Sequence, residues 1–179
     1  MPNGKTHDKV NWILLPPFAY ISWDFSKDLV ILLLFTVSYL FSSFMFSGDL
    51  DLVSSQSKRW GVIRFIWIPY RKFFKHRSKL THGILLGTIV RIVYLSLVMS
   101  IFYLFLYYLT VKYAPTFNNE LASKTNNLQN IFINQPKGYF IYIFLGLVAG
   151  AFAHTMADEF FSTMKRIFKK NNKKKKKKS

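Results

Sequence analysis

Charged residues divide this chain into long apolar runs joined by short polar ones. Residues 29–48, LVILLLFTVSYLFSSFMFSG, carry no charge between Asp28 and Asp49. A helix of that length, rising about 1.5 Å per residue, reaches across a hydrocarbon layer of about 30 Å. Residues 92–111 again lack charge, and their helix is expected to begin near Ile84, with Arg91 turned toward protein or snorkelling to a head group. A third run, residues 138–157, ends at Asp158. The pattern predicts three spanning helices at these places.

A fourth segment, VNWILLPPFAYISW at residues 10–23, is harder to place. Its uncharged length covers only about 21 Å as a helix, and Pro16 and Pro17 are expected to kink it. Length alone reads it as interfacial or re-entrant, but charge placement pulls the other way. If it crosses, both termini share a side with residues 49–83, and that side holds twenty of the 25 Lys and Arg. Lys27, Lys112, Lys124 and Lys137 lie opposite. The excess of Lys and Arg assigns the basic side to the cytoplasm. Three spans also satisfy that rule, since only Lys5 and Lys9 change sides, but they strand His7 away from the other histidines. The expectation is four crossings, or a deep re-entrant first helix. Residues 59–74 mix Trp60, Trp67 and Tyr70 with Arg59, Arg64, Arg71 and Lys72, the composition of a helix lying in the interface. The fold class is thus all-α: a polytopic helical membrane protein with about four membrane segments and an interfacial helix between the second and third. Residues 1–168 form one domain, and residues 169–179, KKNNKKKKKKS, form a low-complexity tail expected to be disordered by lysine repulsion.

Composition narrows the chemistry. Hydrophobic residues make up 51% of the chain while the net charge is +17, a pairing that segregation into lipid-facing and basic stretches explains. The polar start MPNGKTHDK predicts no cleavable signal peptide. A basic run following a hydrophobic segment suits anionic lipid better than nucleic acid, at about 1 kcal/mol per lysine near the surface. With no cysteine, any metal must be held by nitrogen and oxygen. No G-x-S-x-G elbow, P-loop or G-x-G-x-x-G occurs, which removes serine-hydrolase and nucleotide-cofactor readings.

The four histidines and most of the eight acidic residues fall at element ends. His7 and Asp8 open the first segment, Asp49 and Asp51 close the next, His76 and His82 precede the third, and His154 and Asp158 end the last. Residues four apart on a helix project from one face, so His154 and Asp158 can share a cation. Each signal alone also has a plain structural reading, as a cap or a hydrogen-bonded histidine. Together they assemble imidazoles and carboxylates at a membrane edge, where ionisable groups are costly unless paired or coordinating. Neutral imidazole with carboxylate suits zinc first, then manganese or ferrous iron, and the number of donors allows one or two ions. Arg77 or Arg59 is placed to pair with an anionic substrate.

The stretches GKTHDKV, FSGDLDL, KRWGVIRFIWIPYRKFFKHRSKLTHG, GTIVRIVYL and HTMADEF resemble, in this order, the membrane metal-binding proteins common in cyanobacteria. These are similar in turn to the broader inner-membrane metal-dependent hydrolases once described as LexA-binding. The resemblance runs from Gly4 to Glu159. It implies a helical membrane protein with metal ligands at His7, Asp49, Asp51, His76, His82, His154 and Asp158, and with Asp8 behind them. The expected activity is metal-dependent hydrolysis of a phosphate-containing or lipid-like substrate, with Asp49 and Arg77 as catalytic residues. The expected place is the cytoplasmic face of a plasma (inner) or thylakoid-type membrane. A non-catalytic protein whose His/Asp cluster fastens helix ends, and whose basic segments recruit lipid or a partner, is the alternative. A transporter is disfavoured because the polar residues gather at one end.

Overall fold

The computed structural model describes residues 4–74, 83–113, 124 and 137–176, and these are helical without a strand among them. Helix α1 spans Gly4–Ser26, α2 Leu29–Met45, α3 Ser55–Arg59, α4 Trp67–Phe73, α5 Ile84–Tyr113 and α6 Lys137–Lys176. Two 3-10 turns, Gly48–Asp51 and Gly61–Ile66, link α2 to α3 and α3 to α4.

Three helices are long and apolar enough to cross a membrane, in stretches Leu29–Asp51, Ile84–Tyr113 and Gly138–Phe168. Helix α1, at 23 residues, is long enough but not apolar enough to be among them. It nevertheless runs as one helix through Pro16 and Pro17 instead of ending there. Prolines at these positions remove two intrahelical donors. Tertiary contacts hold the helix in compensation: Asn11 Nδ2 donates to the Ser43 carbonyl at 3.1 Å, and Tyr39 Oη donates to the Asn11 carbonyl at 2.8 Å. Leu14, Leu15 and Phe18 pack on the buried Phe35 and Tyr39.

Helix α2 starts because Asp28 accepts from the backbone N–H of Val30 at 2.7 Å and of Ile31 at 3.3 Å, satisfying donors that the first turn leaves open. Helices α1 and α2 are antiparallel, since Asn11 meets Ser43 while Phe18 meets Tyr39. Helices α2 and α6 run parallel and very close. A Cβ added to Gly146 would stand 2.5 Å from the Phe35 carbonyl oxygen, and one on Gly150 would stand 2.6 Å from that of Tyr39. Two glycines four apart, facing Ser38 and Ser42, thus let the backbones touch. Ser42 Oγ also donates to the Leu147 carbonyl at 2.6 Å. Two parallel helices require the chain to return between them, and α5 is the long helix available for that return.

Helix α5 buries only Gly87, Thr88 and Arg91, while Leu97, Phe102, Phe105 and Tyr113 are exposed. Its packed end meets a cluster of Phe46, Leu50, Trp67 and Tyr70, all buried. Tyr94 Oη donates to the Ile66 carbonyl, tying α5 to the second 3-10 turn. Trp60 Nε1 donates to the Met45 carbonyl at 2.8 Å and ties that turn to α2.

Candidate metal centre

The register of the three packed helices decides which polar side chains meet. Antiparallel α1 brings His7, near its start, to the middle of α6 where His154 and Asp158 lie one turn apart. Parallel α2 delivers the 3-10 turn Gly48–Asp51 to the same level of α6. The imidazoles of His7 and His154 stack with centroids 4.4 Å apart and planes inclined by 24°. His7 Nε2 lies 3.4 Å from Asp158 Oδ1, and His154 Nε2 lies 3.5 Å from Asp49 Oδ2 and 3.6 Å from Asp158 Oδ2. Among the described residues, His7, His154 and Asp158 form a candidate metal-holding group, with donor atoms all within 4.8 Å of one another.

These separations can be tested against what an ion demands. A direct charge-assisted hydrogen bond between imidazole and carboxylate would close to about 2.7–2.9 Å. Donors about 2.0–2.2 Å from a shared zinc at tetrahedral angles stand roughly 3.3–3.6 Å from each other. The observed 3.4, 3.5 and 3.6 Å match the second case. His154 Nε2 is buried and makes no hydrogen bond although it faces two carboxylates. Burying a polar nitrogen in that condition is costly, and a cation between these donors removes the cost. Two neutral imidazoles with two carboxylates are a donor set suited to a first-row divalent ion, so the residues present fit a metal.

The environment is closed on one side and open on the other. His154 is 2% exposed and His7 6%, whereas the Asp158 side chain is 23% exposed. Behind His154 stands Gln56, whose Nε2 lies 3.2 Å from His154 Nδ1. At the rim Asp8 pairs with Arg59, which also donates to the Phe44 carbonyl at 3.0 Å. Asp8 is therefore near the site but engaged by a cation, and Arg59 is partly committed before any substrate arrives.

Of the residues expected in the site, the structure brings together His7, Asp49, His154 and Asp158. His76, His82 and Arg77 lie outside the described residues. Asp51 is buried and faces another neighbourhood, where its charge acts on Tyr70, Arg71 and Arg91. The cause is local: in a 3-10 turn, residues two apart point roughly 120° away from each other, so Asp49 and Asp51 cannot share a face. Gln56 and Asn11 belong to the site's support and had no signal in the sequence. Both are buried amides whose importance comes only from meeting Ser43 and His154 across the fold.

Stacked imidazoles and two carboxylates, where the start of α1 and the turn after α2 meet the middle of α6, give a helical protein with a candidate nitrogen-and-oxygen metal site. The chain belongs to the family described as uncharacterized metal-binding protein (DUF2227), whose model matches residues 2–168. A curated relative from Aquifex aeolicus (strain VF5), described as an uncharacterized protein, is 34% identical over 133 residues, which is 74% of this chain and 92% of the relative. No solved structure matches.

Proposed function

We propose that this chain is an integral membrane protein of four membrane segments that holds a divalent cation at its cytoplasmic face and uses it to hydrolyse a phosphate-containing or lipid-like substrate. The observation that carries the reading is the spacing of His7, His154 and Asp158, wider than hydrogen bonds and matched to donors around one ion. Zinc is the first candidate, with manganese and ferrous iron next. His76 and His82 are reserved as ligands of a second ion.

Helix α1 is the fourth segment. It lies antiparallel along α2, and its outward face presents Trp12, Ile13, Tyr20 and Trp23. Such a face is soluble in hydrocarbon but not in water. The positive-inside rule puts the twenty basic residues, both termini and the metal centre in the cytoplasm of a plasma (inner) or thylakoid-type membrane. The aromatic and basic residues 59–74 serve as the interfacial segment, and the positive charge of the sequence from Lys165 onward suits anionic lipid.

An ion at this centre supplies Lewis-acid polarisation of a phosphoryl or ester oxygen and acidifies water for attack. The chain's own contribution is to hold and orient. His7, His154 and Asp158 fix the ion, and the partly exposed Asp158 edge admits substrate. Asp49, held beside His154 by its 3-10 turn, accepts a proton from the attacking water. Arg77 steadies the anion. The resemblance to inner-membrane metal-dependent hydrolases supports the reaction class.

The test is hydrolysis of a phosphomonoester, a phosphodiester and a carboxylic ester by detergent-purified protein reloaded with Zn(II), Mn(II) or Fe(II). The expected result is turnover restored by one metal and lost in Asp49→Asn. Stoichiometric metal without turnover of any of the three would overturn the enzyme reading. That result would favour the second reading, a structural ion fastening α1, α2 and α6, which the near-complete burial of His154 supports.

A further inference from the structure

Gln56 stands at the back of the metal centre with all its polar atoms engaged. It is 3% exposed on α3. Its Oε1 accepts from Ser47 Oγ at 2.6 Å, its Nε2 donates to the Ser43 carbonyl at 3.1 Å, and the same Nε2 lies 3.2 Å from His154 Nδ1. An amide nitrogen carries two protons and accepts nothing. In this orientation His154 Nδ1 must therefore accept, and the single proton of a neutral imidazole sits on Nε2. Yet Nε2 is the nitrogen that faces Asp49 and Asp158. To offer its lone pair there to a cation, the ring must move its proton to Nδ1, and Nδ1–H then requires an acceptor.

The acceptor within reach is Oε1 of the same amide after a half-turn about its terminal bond. Turned, Oε1 accepts from His154 Nδ1–H, and Nε2 donates to Ser47 Oγ. What is lost is the bond to the Ser43 carbonyl, whose oxygen then faces Oε1 in place of an N–H, a repulsion that ion binding must offset; that carbonyl keeps its second donor, Asn11 Nδ2 at 3.1 Å. No backbone acceptor is orphaned, and no proton is gained or lost overall: one leaves Nε2 and one is placed on Nδ1. We infer that Gln56 is a positioning residue that couples ion binding at His154 to the orientation of its own amide, one setting matching the ion-free ring and the other the ion-holding ring. The inference rests on His154 being a metal ligand, and it places part of the ion affinity in a side chain that never touches the ion.

The experiment uses the full chain in detergent, labelled with 15N-histidine, with and without Zn(II), beside Gln56→Glu and Gln56→Met. The ion-free wild type is expected to show His154 protonated at Nε2, and the loaded protein at Nδ1. Gln56→Met, whose thioether is at most a weak acceptor, should stay folded and bind Zn(II) 10- to 100-fold more weakly. Gln56→Glu, which only accepts, should bind at least as tightly as wild type and carry a proton on Nδ1 before any ion is added. An ion-free wild type already protonated at Nδ1, or a Gln56→Met protein binding Zn(II) within about twofold of wild type, overturns the inference. Wild type that binds no Zn(II) overturns the metal reading instead, and the ion-free spectra distinguish the two failures.

Discussion

Asp49 and Asp51 are two residues apart, yet they serve two buried clusters built on opposite electrostatic terms. Asp49 joins stacked imidazoles and a second carboxylate, a group with negative charge to spare and gaps of 3.4–3.6 Å between donors. Asp51 lies within the influence of Arg91, which is 1% exposed, sits over the Phe46 ring at 5.8 Å and reaches Thr88 Oγ1 at 3.2 Å. One cluster offers donors that an ion from outside would complete; the other carries its own cation and packs it with aromatic rings. The difference teaches that the same motif can split between chemistry and architecture, and that the 3-10 turn does the splitting.

The largest effect is expected on the architectural side. Arg91→Ala leaves Asp51 buried beside a lost guanidinium and should destabilise the protein by about 3–5 kcal/mol, read as a lower melting temperature, while bound metal stays stoichiometric. Loss of metal in that variant would merge the two clusters into one site. Next, His154→Ala should weaken Zn(II) binding by about 100-fold or more, beyond what supporting residues contribute, with the Phe46–Trp67–Tyr70 cluster intact by tryptophan fluorescence. Gly150→Ala drives a Cβ against the Tyr39 carbonyl and should cost about 1–3 kcal/mol. It should also loosen metal binding several-fold, because the seam it opens holds α6 beside α2, whereas Gly138→Ala meets open space and should do neither.

The smallest effect is a pH dependence confined to the aromatic cluster. Burial pushes the Tyr70 phenol from 10.0 up to about 12, with Arg91 opposing the shift and Asp51 adding to it. A phenol whose pKa rises on folding keeps its proton in the native state after the unfolded chain has lost it. The stability present below pH 10 is therefore lost as pH climbs toward about 12. Tyr70→Phe should flatten thermal stability over that window, and an unchanged slope would remove Tyr70 from the account. Arg71 beside it is lowered first by burial and then by Arg64, with Asp51 opposing both.

How much of this was legible beforehand differs between helices. The apolar runs at residues 29–48, 92–111 and 138–157 locate three long helices because length without charge is a property of a run by itself. The pairing of His154 with Asp158 was legible for the same reason, since four residues on one helix fix a shared face. Meeting of His7 with His154 was written only in the choice of four segments over three. The separation of Asp49 from Asp51 depends on backbone geometry that residues 48–51 do not announce, and Gln56 matters only through contacts 9, 13 and 98 residues away. Gly146 and Gly150 could be noticed as a close-packing pair, but their partner helix could not.

The most direct test of the central claim is X-ray absorption at the metal edge on purified, ion-loaded protein. The account predicts about one ion or more per chain, nitrogen and oxygen donors near 2.0–2.2 Å, and the multiple scattering of two imidazoles that falls to one in His7→Ala. A folded chain that takes up no ion, or an ion whose surroundings contain no imidazole, would contradict it.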